Sequence, residues 1–180
     1  PIEFVKAVRK ICDENGILLI ADEVQSGFGR TGKLFASEYW KENGCAPDII
    51  ATAKSIAGGV PLSAVIASKE VMDAVPGGTI GGTYGGNALA CAAGLEVLKL
   101  MDEGGLVKRS QEIGKKVMAA FNEMKEKYEV VGDVRGLGAM IGVEFVKDKK
   151  TKEPNPEFVG KFIQECAKNG LLVENAGIYG

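Results

Sequence analysis

The chain of 180 residues is 46% apolar and 26% charged with a net charge of −2, which fits one folded domain or one and a part, and excludes a disordered chain. Lysines and arginines are interspersed with acids, so no basic run suggests nucleic acid or an anionic membrane, and no apolar stretch approaches the roughly 18 residues of a membrane helix. The absence of histidine removes a histidine-based triad and the commonest metal ligand, leaving acid–base work to Lys, Asp, Glu, Tyr or Cys.

Ile2, Val5, Val8 and Cys12 fall on one face of a helix over residues 2–14, which Asn15-Gly16 stops. Ile17-Leu18-Leu19-Ile20-Ala21 reads as a buried strand ending on Asp22-Glu23. Residues 33–44 form a short amphipathic segment. Residues 48–53 are a second apolar strand, which delivers Lys54 into Ser55-Ile56-Ala57-Gly58-Gly59, and residues 62–67 are a third. Helix alternating with short apolar strand predicts an α/β fold, mainly a parallel sheet with helical crossovers. Residues 87–102 make a helix that Asn87 can cap and Gly104-Gly105 ends, and residues 106–127 make another with a polar outer face. The texture then changes: glycine-broken apolar runs over 130–146 predict a hairpin, Asn155-Pro156 opens a helix that Asn169-Gly170 ends, and Leu171-Leu172-Val173 begins a strand. A domain boundary is expected at 127/128. The four cysteines are far apart with no Cys-x-x-Cys pair, and no signal peptide opens the chain, so reduced cysteines in a cytoplasmic protein are expected. Both ends read as interrupted, with a helix that serves no preceding strand and a strand that has only begun.

The chemistry concentrates at two strand ends. A lysine emerging at the end of a buried strand is expected to be desolvated, the condition under which an ammonium loses its proton and attacks a carbonyl carbon. Asp22-Glu23 alone could be a solvated turn, but ligands of open α/β sheets bind at strand C-termini, and Lys54 stands in the same relation to its own strand. Glycine numbers 25, roughly twice the usual share, gathered at 27–32, 58–59 and 77–86. Gly27-Phe28-Gly29-Arg30-Thr31-Gly32 matches Gly-x-Gly-x-x-Gly, yet five residues separate it from the strand, so a loop beside a binding site is expected rather than a dinucleotide site. Residues 77–87 run into a helix N-terminus, where backbone N–H groups favour an anion and Thr83 adds a donor; a flexible loop is the alternative. Arg135, flanked by glycine, could grip a carboxylate in two-pronged fashion or lie idle on the surface.

Taken in order, Asp22-Glu23-Val24-Gln25-Ser26-Gly27-Phe28-Gly29-Arg30-Thr31-Gly32, Ala53-Lys54-Ser55-Ile56-Ala57-Gly58-Gly59, Gly82-Thr83-Tyr84-Gly85-Gly86-Asn87 and Val134-Arg135-Gly136-Leu137-Gly138 resemble the class III (ω-amino acid) aminotransferases. The resemblance implies a fold type I, pyridoxal 5′-phosphate-dependent transferase. Residues 1–127 would be the later part of its large cofactor-binding domain and 128–180 part of a small α+β C-terminal domain. It implies that Lys54 forms the Schiff base with the cofactor and carries protons, and that Asp22 pairs with the pyridinium nitrogen. Val24 would pack on the ring, Gln25 approach its phenolic oxygen, Thr83 bind the phosphate in the neighbouring subunit, and Arg135 hold the substrate carboxylate. Amino acid and 2-oxo acid substrates, a homodimer and no metal follow in the same way. Within the family, residues 81–84 and 171–180 resemble the 4-aminobutyrate aminotransferases, with the acetylornithine and ornithine enzymes as close competitors. An isomerase of the same fold, such as a glutamate-1-semialdehyde aminomutase or a racemase, and a non-catalytic α/β module are the rival readings. The family's upstream phosphate loop and ring-stacking aromatic are missing from these 180 residues, so weak cofactor retention and no catalysis are expected of the chain alone.

Overall fold

The computed structural model describes residues 1–79 and 81–177, so Ile80 and the closing Ile178-Tyr179-Gly180, both within the motifs above, lie outside the described residues. The chain divides into two compact units, Pro1–Glu112 with Gly138–Met140, and Ile113–Leu137 with Ile141–Gly180.

In the first unit, α1 (Ile2–Asn15) leads to β1 (Ile20–Asp22), which pairs in parallel with β2 (Ile49–Thr52) in the register Ile20↔Ile49 and Asp22↔Ala51. Arg9 of α1 donates to Asp48 Oδ2 at 2.8 Å, and the same oxygen accepts the Leu19 amide at 2.6 Å. The Arg9 hydrogen bond, then that of Leu19, holds the Asp48 carboxyl below its usual range. This clasp pins the entry ends of both strands and so fixes which residues reach their exits.

Two expectations fail here. The run at 17–21 is a three-residue strand with only Ala21 buried; Ile17, Leu18 and Ile20 are 53%, 52% and 59% exposed. A strand is buried only where other layers pack on its faces, and the side chains of Ile17, Leu18 and Ile20 are left uncovered by the described residues. The third strand, β3 (Ala64–Ala67), pairs with β2 antiparallel rather than parallel. The link between them is a 3₁₀ turn over Lys54–Ala57 and a loop, with no α-helix of the kind that usually carries a parallel crossover.

Short helices α2 (Ser37–Lys41) and α3 (Lys69–Asp73) lie in the connections, and α4 (Ala88–Glu103) follows with Asn87 Oδ1 accepting the Ala90 amide at 3.1 Å, the cap its sequence predicts. Helix α5 (Leu106–Lys127) is a single element, and the two compact units divide inside it.

The second unit holds a sheet of order β4-β5-β6, from β4 (Val131–Leu137), β5 (Met140–Asp148) and β6 (Glu153–Pro154), and helix α6 (Pro156–Lys168) capped by Asn155. Phe145 meets Phe158 and Phe162 at ring separations of 5.0 and 4.9 Å, and Phe121 stands edge-on to Phe162. Such aromatic pairs add about 0.5–1.5 kcal/mol each beyond area burial. The exposed Glu157–Lys161 pair on α6 is screened by solvent, so the aromatic cluster is what anchors the helix. Residues 171–177 are not a strand, against expectation: Leu171 and Leu172 are 58% and 89% exposed, and no neighbouring strand takes up their backbone groups among the described residues.

Candidate active site

Parallel pairing puts the exit ends of β1 and β2 on one edge of the sheet, strands about 4.8 Å apart. Asp22 is the last residue of β1, its strand partner is Ala51, and the Glu23 amide still bonds the Ala51 carbonyl at 2.8 Å. Three residues past Ala51 the chain turns sharply: Ala53 is extended and Lys54 takes φ +51°, left-handed for a residue that is not glycine. The turn lifts the lysine out of the strand line, so that Asp22, Val24, Gln25, Ser26, Lys54 and Met140 line one open cleft of about 430 Å³.

Four of the residues singled out in the sequence thus come together: Asp22, Val24, Gln25 and Lys54. Asp22 Oδ1 accepts the Val24 amide at 3.1 Å, a local turn that fixes the carboxylate, while Oδ2 has no hydrogen-bond partner among the described residues. Lys54 makes neither an ion pair nor a hydrogen bond among the described residues, and it is exposed. The desolvation expected of it is therefore absent: the strand delivering it is only half-buried at Ile49, Ile50 and Ala51.

Thr83 does not line the cleft; it is exposed in a loop whose described glycines are exposed as well. Arg135 belongs to the second unit, on β4. Its guanidinium donates to Glu144 at 2.8 Å and to Asp133 at 2.9 Å, which together raise its pKa further, Glu144 contributing most. Lys125, then Arg135, holds Asp133 below the usual carboxylate range. Among the described residues no group of three or more acidic, cysteine or histidine side chains could hold a metal, and no helix is long and apolar enough to cross a membrane.

Three residues escaped the sequence. Glu23 is 2% exposed, and its carboxylate accepts Ser26 Oγ at 2.5 Å, the Ala36 amide at 3.1 Å and the Ser37 amide at 2.6 Å. Strand alternation does separate it from Asp22, one acid facing the cleft edge and the next the interior. Ser26, adjoining Gln25, and Met140, more than 80 residues from Lys54, complete the cleft. The Gly-x-Gly-x-x-Gly loop is packed against protein: a Cβ on Gly29 would lie 2.6 Å from Met101 Cε, and one on Gly32 2.8 Å from Gln111 Cγ. With Gly29 at φ +85° and Gly32 at φ +87°, conformations that favour glycine, the loop's glycines are explained without a nucleotide.

A carboxylate with a spare oxygen, a primary amine without a partner among the described residues and an apolar side chain, all lining one cleft, fit a pyridinium ring bearing an aldehyde. The comparisons agree. Residues 1–179 match the family Aminotransferase class-III, and the chain belongs to that family. It is 48% identical over its full length to the 5-aminovalerate aminotransferase DavT of Pseudomonas putida, covering 41% of that protein. Over 98% of its length it is 46% identical to the 4-aminobutyrate aminotransferase GabT of Escherichia coli, again 41% of the relative. It is also 46% identical over 96% of its length to a leucine/methionine racemase of Thermococcus litoralis, 38% of that protein. Among solved structures, an amine transaminase from an uncultivated Pseudomonas species in the PLP-bound form superposes with a TM-score of 0.87 at 37% identity, over 98% of this chain and 42% of that one. The chain therefore spans 38–41% of the length of the curated relatives it matches. The α/β fold and the cofactor pyridoxal 5′-phosphate follow from the family and the PLP-bound neighbour.

Proposed function

We propose that these residues form the lysine-bearing part of an aminotransferase that moves an amino group from 4-aminobutyrate, 5-aminovalerate or a related ω-amino acid to 2-oxoglutarate. One observation carries the reading: Asp22 and Lys54 leave neighbouring parallel strands at the same sheet edge and share one cleft. In this reading residues 1–127 are the later part of the large domain and 128–180 part of the small one, in a cytoplasmic homodimer. Pyridoxal 5′-phosphate, when bound, supplies the electron sink. Asp22 would accept the ring N–H and keep that nitrogen protonated. Val24 would pack on the ring, and Gln25 would approach its phenolic oxygen. Lys54 Nζ would hold the cofactor and, as a free amine, would carry the proton in the transfer. Thr83, exposed and away from its own chain's cleft, serves the phosphate of the neighbouring subunit. Arg135 exchanges Glu144 or Asp133 for the substrate carboxylate.

Borohydride reduction of the cofactor-loaded protein followed by mass spectrometry should locate the adduct on Lys54, and Lys54→Ala should lose the adduct and, in the full-length enzyme, at least about a thousandfold in turnover. Turnover that survives the substitution would end the assignment. A racemase is the second reading, favoured by the Thermococcus litoralis relative. It needs no external keto acid, so conversion of an amino acid without 2-oxoglutarate would favour it.

A further inference from the structure

Ser110, 8% exposed near the start of α5, joins three segments of the first unit. Its Oγ donates to the Arg30 carbonyl at 2.9 Å and accepts the Ala139 amide at 3.1 Å, and that amide also bonds the Arg30 carbonyl at 2.9 Å. Gln111 Nε2 adds a bond to the Gly32 carbonyl at 2.7 Å. Gly138 closes the junction at φ +53°, where a Cβ would stand 2.4 Å from the Thr31 carbonyl carbon and 2.5 Å from the Gly32 nitrogen. The glycine motif that the cofactor chemistry leaves unused is thus the seat of a hairpin tip.

The residue carried next along that tip is Met140. Of the six side chains around the cleft, Asp22, Gln25, Ser26 and Lys54 are polar, so Val24 and Met140 supply its apolar walls. Val24 is tied to Asp22 through its own amide and serves the ring. Met140 is 41% exposed, with thioether surface free to be covered by a ligand. We infer that Met140 is a specificity-determining residue, the wall against which the aliphatic chain of the ω-amino acid donor packs, and that Ser110 is the positioning residue that holds it there. This rests on the aminotransferase reading above.

The test uses the full-length, cofactor-loaded protein with 4-aminobutyrate and 5-aminovalerate as donors. Trimming the wall with Met140→Ala should raise the kcat/KM ratio of the longer donor over the shorter by about tenfold, the low end of what one methylene is worth in an apolar pocket. Met140→Leu, of similar volume, should hold the ratio within about twofold. The unreactive carboxylates butanoate and pentanoate, titrated by calorimetry, should shift in relative affinity in the same direction without any turnover. Ser110→Ala should move the donor ratio the same way by a smaller factor and Ser110→Thr should restore it, whereas a merely structural loss would lower both donors alike. An active enzyme whose donor ratio and carboxylate affinities are unmoved by Met140→Ala would overturn the role of Met140 and leave the aminotransferase reading standing. A wild-type protein that transfers nitrogen from neither donor would overturn that reading itself.

Discussion

Two glycine-rich loops in the same unit, residues 27–32 and 77–86, have similar composition and opposite circumstances. In the first, Gly27, Gly29 and Gly32 are buried, and a Cβ on any of them would meet another atom of the chain at 2.6–2.8 Å. In the second, Gly77, Gly78, Gly81, Gly82 and Gly86 have nothing within 4 Å of the position a Cβ would take. The first loop owes its glycines to the protein's own packing. In the second, the backbone conformation of Gly78 (φ +83°) and Gly86 (φ +68°) and the 3.2 Å approach of a Gly85 Cβ to the Gly82 carbonyl account for three glycines, while Gly77, Gly81 and Gly82 meet no packing demand within the described chain. Glycine content alone cannot separate the two cases; what surrounds each absent side chain does.

That contrast can be broken most forcefully at Gly138, which presses on the first loop. Gly138→Ala combines a left-handed φ with a clash on backbone atoms and should cost about 4 kcal/mol, read as a lowered denaturant midpoint. Glu23→Ala strands Ser26, Ala36 and Ser37 without their acceptor and should cost about 3 kcal/mol by the same measurement. In the second loop the effects should move from stability to binding. Thr83→Val should leave the midpoint alone and weaken cofactor affinity about tenfold, followed by absorbance titration of the full-length apoprotein. Gly82→Ala should change stability by less than about 0.5 kcal/mol. A large stability loss from either change in the second loop, or none from Gly138→Ala, would erase the distinction.

Much of this was legible in the residues because local rules decide it. The Asn87 and Asn155 caps fix where α4 and α6 begin, and the long amphipathic pattern of α5 emerges within its expected bounds of 106–127. Asp22 and Lys54 could be placed at strand ends because apolar runs stop there. The antiparallel β3 was not legible, since two apolar runs say nothing of relative direction. Nor could the burial of the run at 17–21 be read, because burial depends on what covers a strand. Met140 was hidden for a different reason. Its place in the cleft is set by the Arg30–Ser110–Ala139 junction, three residues that become neighbours only on folding.

The backbone at residue 54 would sit more comfortably with no side chain at all. At φ +51° a lysine carries a conformational penalty of about 1 kcal/mol that glycine avoids. Lys54→Gly should therefore outlast Lys54→Ala in thermal denaturation while both lack the amine. Selection for robustness alone would drift away from lysine at this position, so its retention would mark a demand made by chemistry against the preference of the fold.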